Sequence, residues 1–249
     1  MEWLSTRARQ RVDIWLHNAR TLWWPSPCVL CRASAPPNRD LCPGCQADLP
    51  AAAPGCPVCG VPLARTGPGV PVPCGRCLRR PPAFDALHAA FQYADPVAWL
   101  IQQMKFRGRL PLARLLGELL AERLAARGGA HPDCIVPVPM HRARLRTRGF
   151  NQALELARPV GQHLGVAVDA ASCRRVRPTA AQSGLSLKAR RANLRNAFAV
   201  APGFRARHVV ILDDVVTSGQ TAHEVARVLR RAGAQRIEVW TLARALPHH

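Results

Sequence analysis

The sequence predicts an α/β domain with a largely parallel sheet flanked by helices, preceded by a small cysteine-rich module. Eight of the ten cysteines fall within the first 80 residues, as four Cys-x-x-Cys pairs. After residue 81 the pairs stop, and apolar strands begin to alternate with helical patterns, which is typical of α/β proteins. We therefore expect an N-terminal module over residues 1–80 and an α/β domain over residues 81–249.

The four cysteine pairs predict two structural Zn²⁺ sites. A Cys-x-x-Cys turn presents two thiolates from one side, and a second turn completes the tetrahedral four-cysteine shell that structural zinc prefers. Sequential pairing needs only short hairpins and gives two ligand sets: Cys28, Cys31, Cys42 and Cys45, then Cys56, Cys59, Cys74 and Cys77. A disulfide framework would need an oxidising compartment, and a redox motif would need only one pair. Cys134 and Cys173 stand apart in apolar contexts and are expected in the core.

The charge of the chain favours polyanionic partners. Lys and Arg number 35 against 15 Asp and Glu, a formal net charge of +20. No segment reaches the roughly 18 apolar residues of a membrane span, and the N-terminus lacks the apolar core of a secretory signal, so a cytoplasmic location is expected. Residues 2–24 predict a basic, Trp-rich amphipathic helix, for which packing is favoured over peripheral membrane contact.

The first half of the α/β domain predicts two strands and three helices. Residues 86–93 predict a strand and residues 96–106 a helix. Residues 110–127 predict a second helix, because their leucines recur at helical spacing. Residues 135–138 predict a short buried strand, and residues 151–164 another helix.

The second half continues the alternation. Residues 172–177 and 197–200 are weaker strand candidates that flank a polar loop. The apolar run at residues 208–212 predicts a clear strand, followed by a helix at 220–231 and a last strand at 236–242. This order fits a parallel sheet covered by helices on both faces.

The segment after residue 212 predicts a ligand site. The apolar strand runs into Asp213 and Asp214, then into a hydroxyl- and glycine-containing turn, then into a helix. Ligands gather at the carboxyl ends of parallel strands, where a helix N-terminus offers N–H groups to phosphate and carboxylates can hold sugar hydroxyls or a metal. No G-x-x-x-x-G-K-[ST] motif occurs, so a P-loop ATPase is unsupported. A simple helix cap would leave both acids unexplained.

These residues carry a resemblance to a known family. The stretch VVILDDVVTSGQTA, residues 209–222, resembles the phosphoribosyl pyrophosphate (PRPP) signature of type I phosphoribosyltransferases, with Ser218 where many members have Thr. Residues 135–157 and 174–198, with the cysteine module, resemble the ComF family, competence-associated proteins that join a zinc ribbon to a phosphoribosyltransferase domain. Many relatives have a single four-cysteine ribbon, whereas the eight cysteines here resemble a double ribbon.

The resemblance implies a site for PRPP, or a related phosphorylated ribose, bound with Mg²⁺. Asp213 and Asp214 would bind the ribose hydroxyls and act in catalysis together with Arg142. The implied PRPP-binding residues are Asp213, Asp214, Val215, Val216, Thr217, Ser218, Gly219, Gln220 and Thr221, with Pro139, Met140, His141 and Arg142 as the pyrophosphate loop. The polar segment 177–190 predicts a mobile loop that would close over the site, with these candidate residues: Arg177, Thr179, Gln182 and Arg190.

The charge is concentrated between residues 142 and 207, which hold fourteen cations and two acids. That surplus exceeds the need of one PRPP molecule, so we expect single-stranded DNA as a further partner, bound without sequence readout because aromatic residues are scarce there. Other competence proteins are further expected partners by resemblance. Two hypotheses follow: a DNA-handling protein with a PRPP-binding pocket, and an active transferase with an unidentified acceptor.

Overall fold

The structure, a computed structural model, describes residues 26–63, 72–129, 131–178 and 193–246. The predicted helix at residues 2–24 lies outside them. The described residues form two compact units, one ending at Leu49 and the other beginning at Pro50. The second four-cysteine group belongs to the same unit as the sheet, and the domain boundary near residue 80 stays a prediction from the sequence. In the described residues, no helix is long and apolar enough to cross a membrane.

The elements have these bounds, in chain order: α1 Pro43–Ala47, α2 Gly75–Arg79, β1 Ala86–Gln92, α3 Val97–Arg107, α4 Pro111–Ala125, β2 Cys134–Pro137, α5 Arg142–Arg148, α6 Gln152–Leu164, β3 Cys173–Arg175, β4 Phe198–Val200, β5 His208–Val216, α7 Gln220–Arg231 and β6 Arg236–Arg244. Helix α1 lies in the first unit, and all other elements lie in the second.

Four strands of the second unit form a parallel sheet in the order β1-β6-β5-β2. Strands β5 and β6 are neighbours joined through α7, and their register begins with His208 opposite Arg236. Because all four strands run the same way, their carboxyl ends lie at one edge, where α/β proteins place their ligands. Strands β3 and β4 form a separate antiparallel pair.

Side-chain alternation along the strands divides the core between two helical layers. Val209 and Ile211 join α7 in one buried cluster. Helix α7 contributes apolar residues at helical spacing: Ala222, Val225, Ala226 and Leu229. On the other face, the Cδ1 of Ile135 lies 3.9 Å from where a Cβ on Gly161 of α6 would stand. The predicted fold class, a parallel sheet flanked by helices and preceded by four-cysteine groups, is confirmed.

The structure extends the sequence-based elements at two places. Strand β5 continues through Asp213 and Asp214 to Val216, four residues beyond the predicted end, because Val215 and Val216 still pair with β6. Helix α5, with the sequence RARLRTR, replaces part of an expected loop. It contains a single large apolar residue, Leu145, so no hydrophobic periodicity marks it. Cys134 and Cys173 are buried, as expected.

Candidate functional site

Asp213 and Asp214 lie near the carboxyl end of β5 and line a cavity of about 320 Å³. Asp214 is 6% exposed, and its Oδ2 lies 2.7 Å from the Nζ of Lys105, at the end of α3. Asp213 is half-buried, and its Oδ1 accepts a hydrogen bond from the Asp214 backbone N–H at 2.9 Å. The cavity therefore contains two adjacent carboxylates, one of them ion-paired.

The environment of Asp213 favours its protonated form. Burial, followed by the negative charge of Asp214, raises the pKa of Asp213 to about 8, although Lys105 opposes this shift. A neighbouring cation or a hydroxyl donor would restore the ionised form. An incoming sugar supplies hydroxyl donors, so the pair is suited to accept a polyhydroxylated ligand.

Cations surround the two carboxylates in the same cavity. Arg144 and Arg148 lie four residues apart on α5, which places them on one face of that helix, and both line the cavity. Arg175 of β3 lines it as well. Together with Lys105 they give a site of mixed charge, in which acids can bind hydroxyls and cations can bind phosphate oxygens.

The residues expected as a pyrophosphate loop follow β2. Pro139 and Met140 line the carboxylate cavity, and His141 is the N-cap of α5, where its Nδ1 accepts from the Ala143 N–H at 3.2 Å. Arg142, the favoured cation of this segment, lines a neighbouring cavity of about 510 Å³ instead. The helical geometry explains the difference, because Arg142 lies about 200° around the axis from Arg144.

Residues 217–219 connect β5 to α7. Together with Gln220 and Thr221 they are the segment for which the sequence predicts phosphate binding, and we call this segment the phosphate loop. Gly219 is the N-cap of α7 with φ +74°, a left-handed conformation that glycine adopts without steric cost. Ser218 is buried, and its Oγ accepts from the Gln220 N–H at 3.5 Å. Thr221 and Val215 line the carboxylate cavity, which links the loop to the aspartates.

Two arginines hold this loop in place through hydrogen bonds to its backbone oxygens. Arg244 of β6 is 5% exposed and donates to the backbone oxygens of Val216 at 2.8 Å, Thr217, Ala245 at 2.5 Å and Cys59 at 3.1 Å. Arg76 of α2 donates to the Ser218 backbone oxygen at 3.2 Å. The second cysteine group is therefore joined directly to the phosphate loop.

Both predicted cysteine groups come together in the structure. In each, the four Sγ atoms lie within 4.8 Å of one another. Cys31 Sγ lies 3.6 Å from Cys42 Sγ, and Cys59 Sγ lies 3.8 Å from Cys74 Sγ. Tetrahedral zinc with bonds of about 2.3 Å separates its sulfurs by about 3.8 Å, so both groups fit structural Zn²⁺.

The local backbone of each group suits a metal-binding turn. In the first, Cys42 caps α1, and its Sγ accepts from the Cys45 N–H at 3.5 Å. In the second, the Cys74 N–H donates to Cys56 Sγ at 3.2 Å. Such hydrogen bonds stabilise the thiolate form that binds metal.

Four cations that line the carboxylate cavity are absent from the predicted site residues: Lys105, Arg144, Arg148 and Arg175. Lys105 is the most distant of them in the chain from the rest of the site. It lies on α3, more than 100 residues before the aspartates in the chain. A weak signal existed, because it is one of only two lysines among 35 cations. Of the expected mobile loop, Thr179, Gln182 and Arg190 lie outside the described residues. Arg177 is described, and it donates to the Arg195 backbone oxygen at 3.0 Å.

Comparison with known proteins matches both parts of the chain. The phosphoribosyl transferase domain model matches residues 110–247, and the double zinc ribbon domain model matches residues 19–78. The DNA utilization protein YhgH of Escherichia coli (strain K12) is 44% identical over 179 residues, which cover 70% of this chain and 79% of that protein. Competence protein F of Haemophilus influenzae is 37% identical over 179 residues, 69% of this chain and 78% of that protein.

Among solved structures, the allosteric regulatory enzyme of purine biosynthesis is similar at 20% identity and a TM-score of 0.34. The match covers 52% of this chain and 25% of that enzyme's chain. So distant a likeness supports no conclusion about function.

Proposed function

The chain belongs to the ComF family, and on this premise we propose that it binds PRPP with Mg²⁺ at the carboxyl end of β5 and handles single-stranded DNA during natural transformation. One observation carries the PRPP part. Asp213 and Asp214 share a cavity with Lys105, Arg144, Arg148 and Arg175, beside the phosphate loop.

Each part of the cavity has a role in this proposal. Asp213 and Asp214 accept hydrogen bonds from the ribose 2′ and 3′ hydroxyls, and the loop that ends in Thr221 binds the 5′-phosphate. Arg144 and Arg148 lie on the side of β2, where they bind the pyrophosphate oxygens. Carboxylate and sugar oxygens are the hard donors that Mg²⁺ accepts, and Mg²⁺ would supply charge neutralisation of the pyrophosphate.

Replacing both carboxylates tests the PRPP site. Asp213→Asn combined with Asp214→Asn keeps the side-chain volume but removes the two ionised acceptors. We expect Mg²⁺-dependent PRPP binding, measured by calorimetry, to weaken about 100-fold or more, since charged hydrogen bonds contribute about 1.5–3 kcal/mol each. Glu118→Gln is the matched control, because Glu118 forms an i,i+4 surface pair with Arg114 on α4. Unchanged PRPP binding in a folded double variant would refute the site.

The DNA part of the proposal is supported by the other face of α5. Arg142 and Arg146 are exposed and lie four residues apart, on the face opposite Arg144 and Arg148. They are therefore available to a phosphate backbone while the cavity-facing arginines bind PRPP. The names of the relatives, DNA utilization protein and competence protein, agree with such a partner.

A salt titration tests the DNA part. We expect the affinity for an oligothymidylate to fall steeply with salt, and Arg142→Gln with Arg146→Gln to reduce the slope of log K against log salt by about 1.4, since each phosphate that an arginine neutralises contributes about 0.7. Arg127→Gln with Arg231→Gln is the control, because these exposed arginines lie at the opposite edge of the sheet. An equal change in both variants would show only a dependence on net charge and would contradict the proposed track.

An active transferase is the second candidate. The cavity of about 510 Å³ that contains Arg142 adjoins the carboxylate cavity and shares Arg175, Asn151, Pro139 and Met140 with it, so an acceptor has room beside the sugar. Pyrophosphate release from PRPP in the presence of an acceptor is the readout that separates turnover from binding alone.

A further inference from the structure

A third cavity, of about 480 Å³, borders the phosphate loop. Ser218, Gly219 and Gln220 form one wall, and helix α2 of the second cysteine group forms another. It shares no lining residue with the cavity of Asp213 and Asp214. Its volume is within the range of small-molecule sites, about 300–1,000 Å³.

Four arginines line this third cavity: Arg76, Arg80, Arg195 and Arg244. Arg76 and Arg244 donate to backbone oxygens of the phosphate loop. Within the described ranges, the exposed guanidinium groups of Arg80 and Arg195 have neither a hydrogen-bond acceptor nor an ion-pair partner. The one acid in the lining, Glu224, is paired with Arg227 at 3.0 Å. Two arginine side chains are therefore left to bind an anion.

Most of the remaining lining is apolar, and the exception is His223, whose Nδ1 accepts a hydrogen bond from the Ala83 N–H at 3.0 Å. Pro81 and Pro82 follow Arg80 directly and are at least partly exposed, and Phe84 and Leu87 close the cavity behind them. Inorganic phosphate makes no favourable contact with this apolar surface, whereas the flat face of a base or the apolar face of a sugar packs against it. Guanidinium groups that bind phosphate, next to an apolar surface that packs against a base, are typical of nucleotide-binding sites.

We propose that this cavity is a nucleotide-binding site next to the PRPP site, from which it is divided by the loop at residues 218–220. Arg80 and Arg195 bind the phosphate, and Pro81 and Pro82 contact the base or sugar. The nucleotide is either free or one unit of a single-stranded DNA chain. The second case rests on the DNA-handling part of the proposed function, whereas the first is independent of it.

Arg80→Gln combined with Arg195→Gln tests the site in the full-length, zinc-loaded protein. Binding of dTMP and of an oligothymidylate is measured for wild type and variant, alongside PRPP binding by calorimetry. We expect nucleotide binding to weaken about tenfold or more, because two charged hydrogen-bond donors are removed. PRPP binding should stay within about twofold, because neither arginine lines the PRPP cavity. Both arginines are exposed, so the variant should melt like the wild type.

The outcomes separate the two sources and the competing explanations. If the variant binds only dTMP more weakly, the ligand is a free nucleotide. If the variant binds the oligothymidylate more weakly, the ligand is a DNA strand. Either result supports the site. Normal binding of both probes to the variant overturns the proposal. An equal loss of PRPP binding in the variant also overturns the proposal, because the cavity would then be part of the PRPP site. So does an equal loss of nucleotide binding in the control Arg127→Gln with Arg231→Gln, because the effect would then depend only on net charge. If the Asp213 and Asp214 variant loses PRPP binding but keeps nucleotide binding, the two sites are independent.

Discussion

Replacing Lys105 by Met should destabilise the second unit by about 3 kcal/mol at neutral pH. The Lys105 and Asp214 side chains are 20% and 8% exposed, and their charged atoms lie 2.7 Å apart. Met keeps the apolar stem of lysine but removes the charge, so Asp214 is left beside Asp213 without its cation. Because removing one partner of a buried ion pair leaves the other charge uncompensated, the loss in free energy of unfolding far exceeds that for a surface pair.

The destabilisation caused by Lys105→Met should be larger at high pH. In the wild type, the pKa of Asp213 is raised from 3.8 to about 8 on folding, so the folded state holds a proton that the unfolded state has released. The stability contributed by this group is complete below pH 4 and is lost as the pH rises to about 8. Lys105 lowers the pKa of Asp213, so its removal raises that pKa further and extends the loss to higher pH.

Urea unfolding followed by circular dichroism at pH 6, 7 and 9 measures the prediction. The difference in the free energy of unfolding between wild type and Lys105→Met should be the same at pH 6 and 7, where Asp213 is protonated in both folded proteins. It should be larger at pH 9, above the wild-type pKa of about 8, because the variant continues to lose stability there. Arg114→Met is the matched control, because it breaks the exposed pair with Glu118 and should cost less than about 0.5 kcal/mol at every pH. A difference that does not change with pH would contradict the electrostatic explanation.

The contact between Lys105 and Asp214 could not be predicted from the sequence. The strand, the paired acids and the phosphate loop are contiguous in the chain, so the local pattern is sufficient to predict them. Lys105 reaches Asp214 only because α3 follows β1, which lies two strands away from β5 in the sheet. No local pattern contains that relation, since it depends on the order of the strands.

The arginines of α5 show a different limit. The sequence identifies a basic run from Arg142 to Arg148 but favours Arg142 for the site, because Arg142 stands at the position of the pyrophosphate loop that the family resemblance implies. Once the run is helical, residues four apart share a face, and Arg144 and Arg148 line the carboxylate cavity. The helix has little apolar surface, so its sequence lacks the usual signal for helical structure.

The cysteine pairs are the most predictable feature, because metal geometry restricts both spacing and partner. Their attachment is not predictable from the sequence. The second group is bonded to the phosphate loop through Arg76, and to β6 through Arg244 and the Cys59 backbone oxygen. The last of these bonds joins residues 185 positions apart in the chain.

Removing zinc from the second group should therefore impair the proposed PRPP site, whereas removing it from the first should not. Cys77→Ser deletes a ligand of the second group, and Cys45→Ser deletes one of the first. We expect about two zinc ions per wild-type chain and about one in each variant. Structural zinc contributes about 10 kcal/mol or more to the folding of small modules, so removal of one ligand should unfold the local ribbon.

In Cys77→Ser, the unfolded ribbon would no longer present Arg76 to Ser218 or the Cys59 backbone oxygen to Arg244. The loop that precedes α7 would then lose the bond from Arg76 to the Ser218 backbone oxygen, and the buried Arg244, which holds the same loop, would lack one of its acceptors. We expect PRPP affinity to fall about tenfold or more, since each hydrogen bond of a charged donor is worth about 1.5–3 kcal/mol. Calorimetry with PRPP and Mg²⁺, together with a zinc assay, measures both effects.

Cys45→Ser is the matched control, because every residue that lines the carboxylate cavity belongs to the second unit. It should lose one zinc ion and retain PRPP affinity within about twofold. Equal losses of PRPP affinity in both variants would point to general instability of the chain, and normal affinity in Cys77→Ser would show that Arg76 and Arg244 hold the loop without the ribbon. Only a loss confined to Cys77→Ser supports a structural role of the second zinc in the proposed phosphate site, because each variant removes one zinc ion by the same chemical change but from a different four-cysteine group.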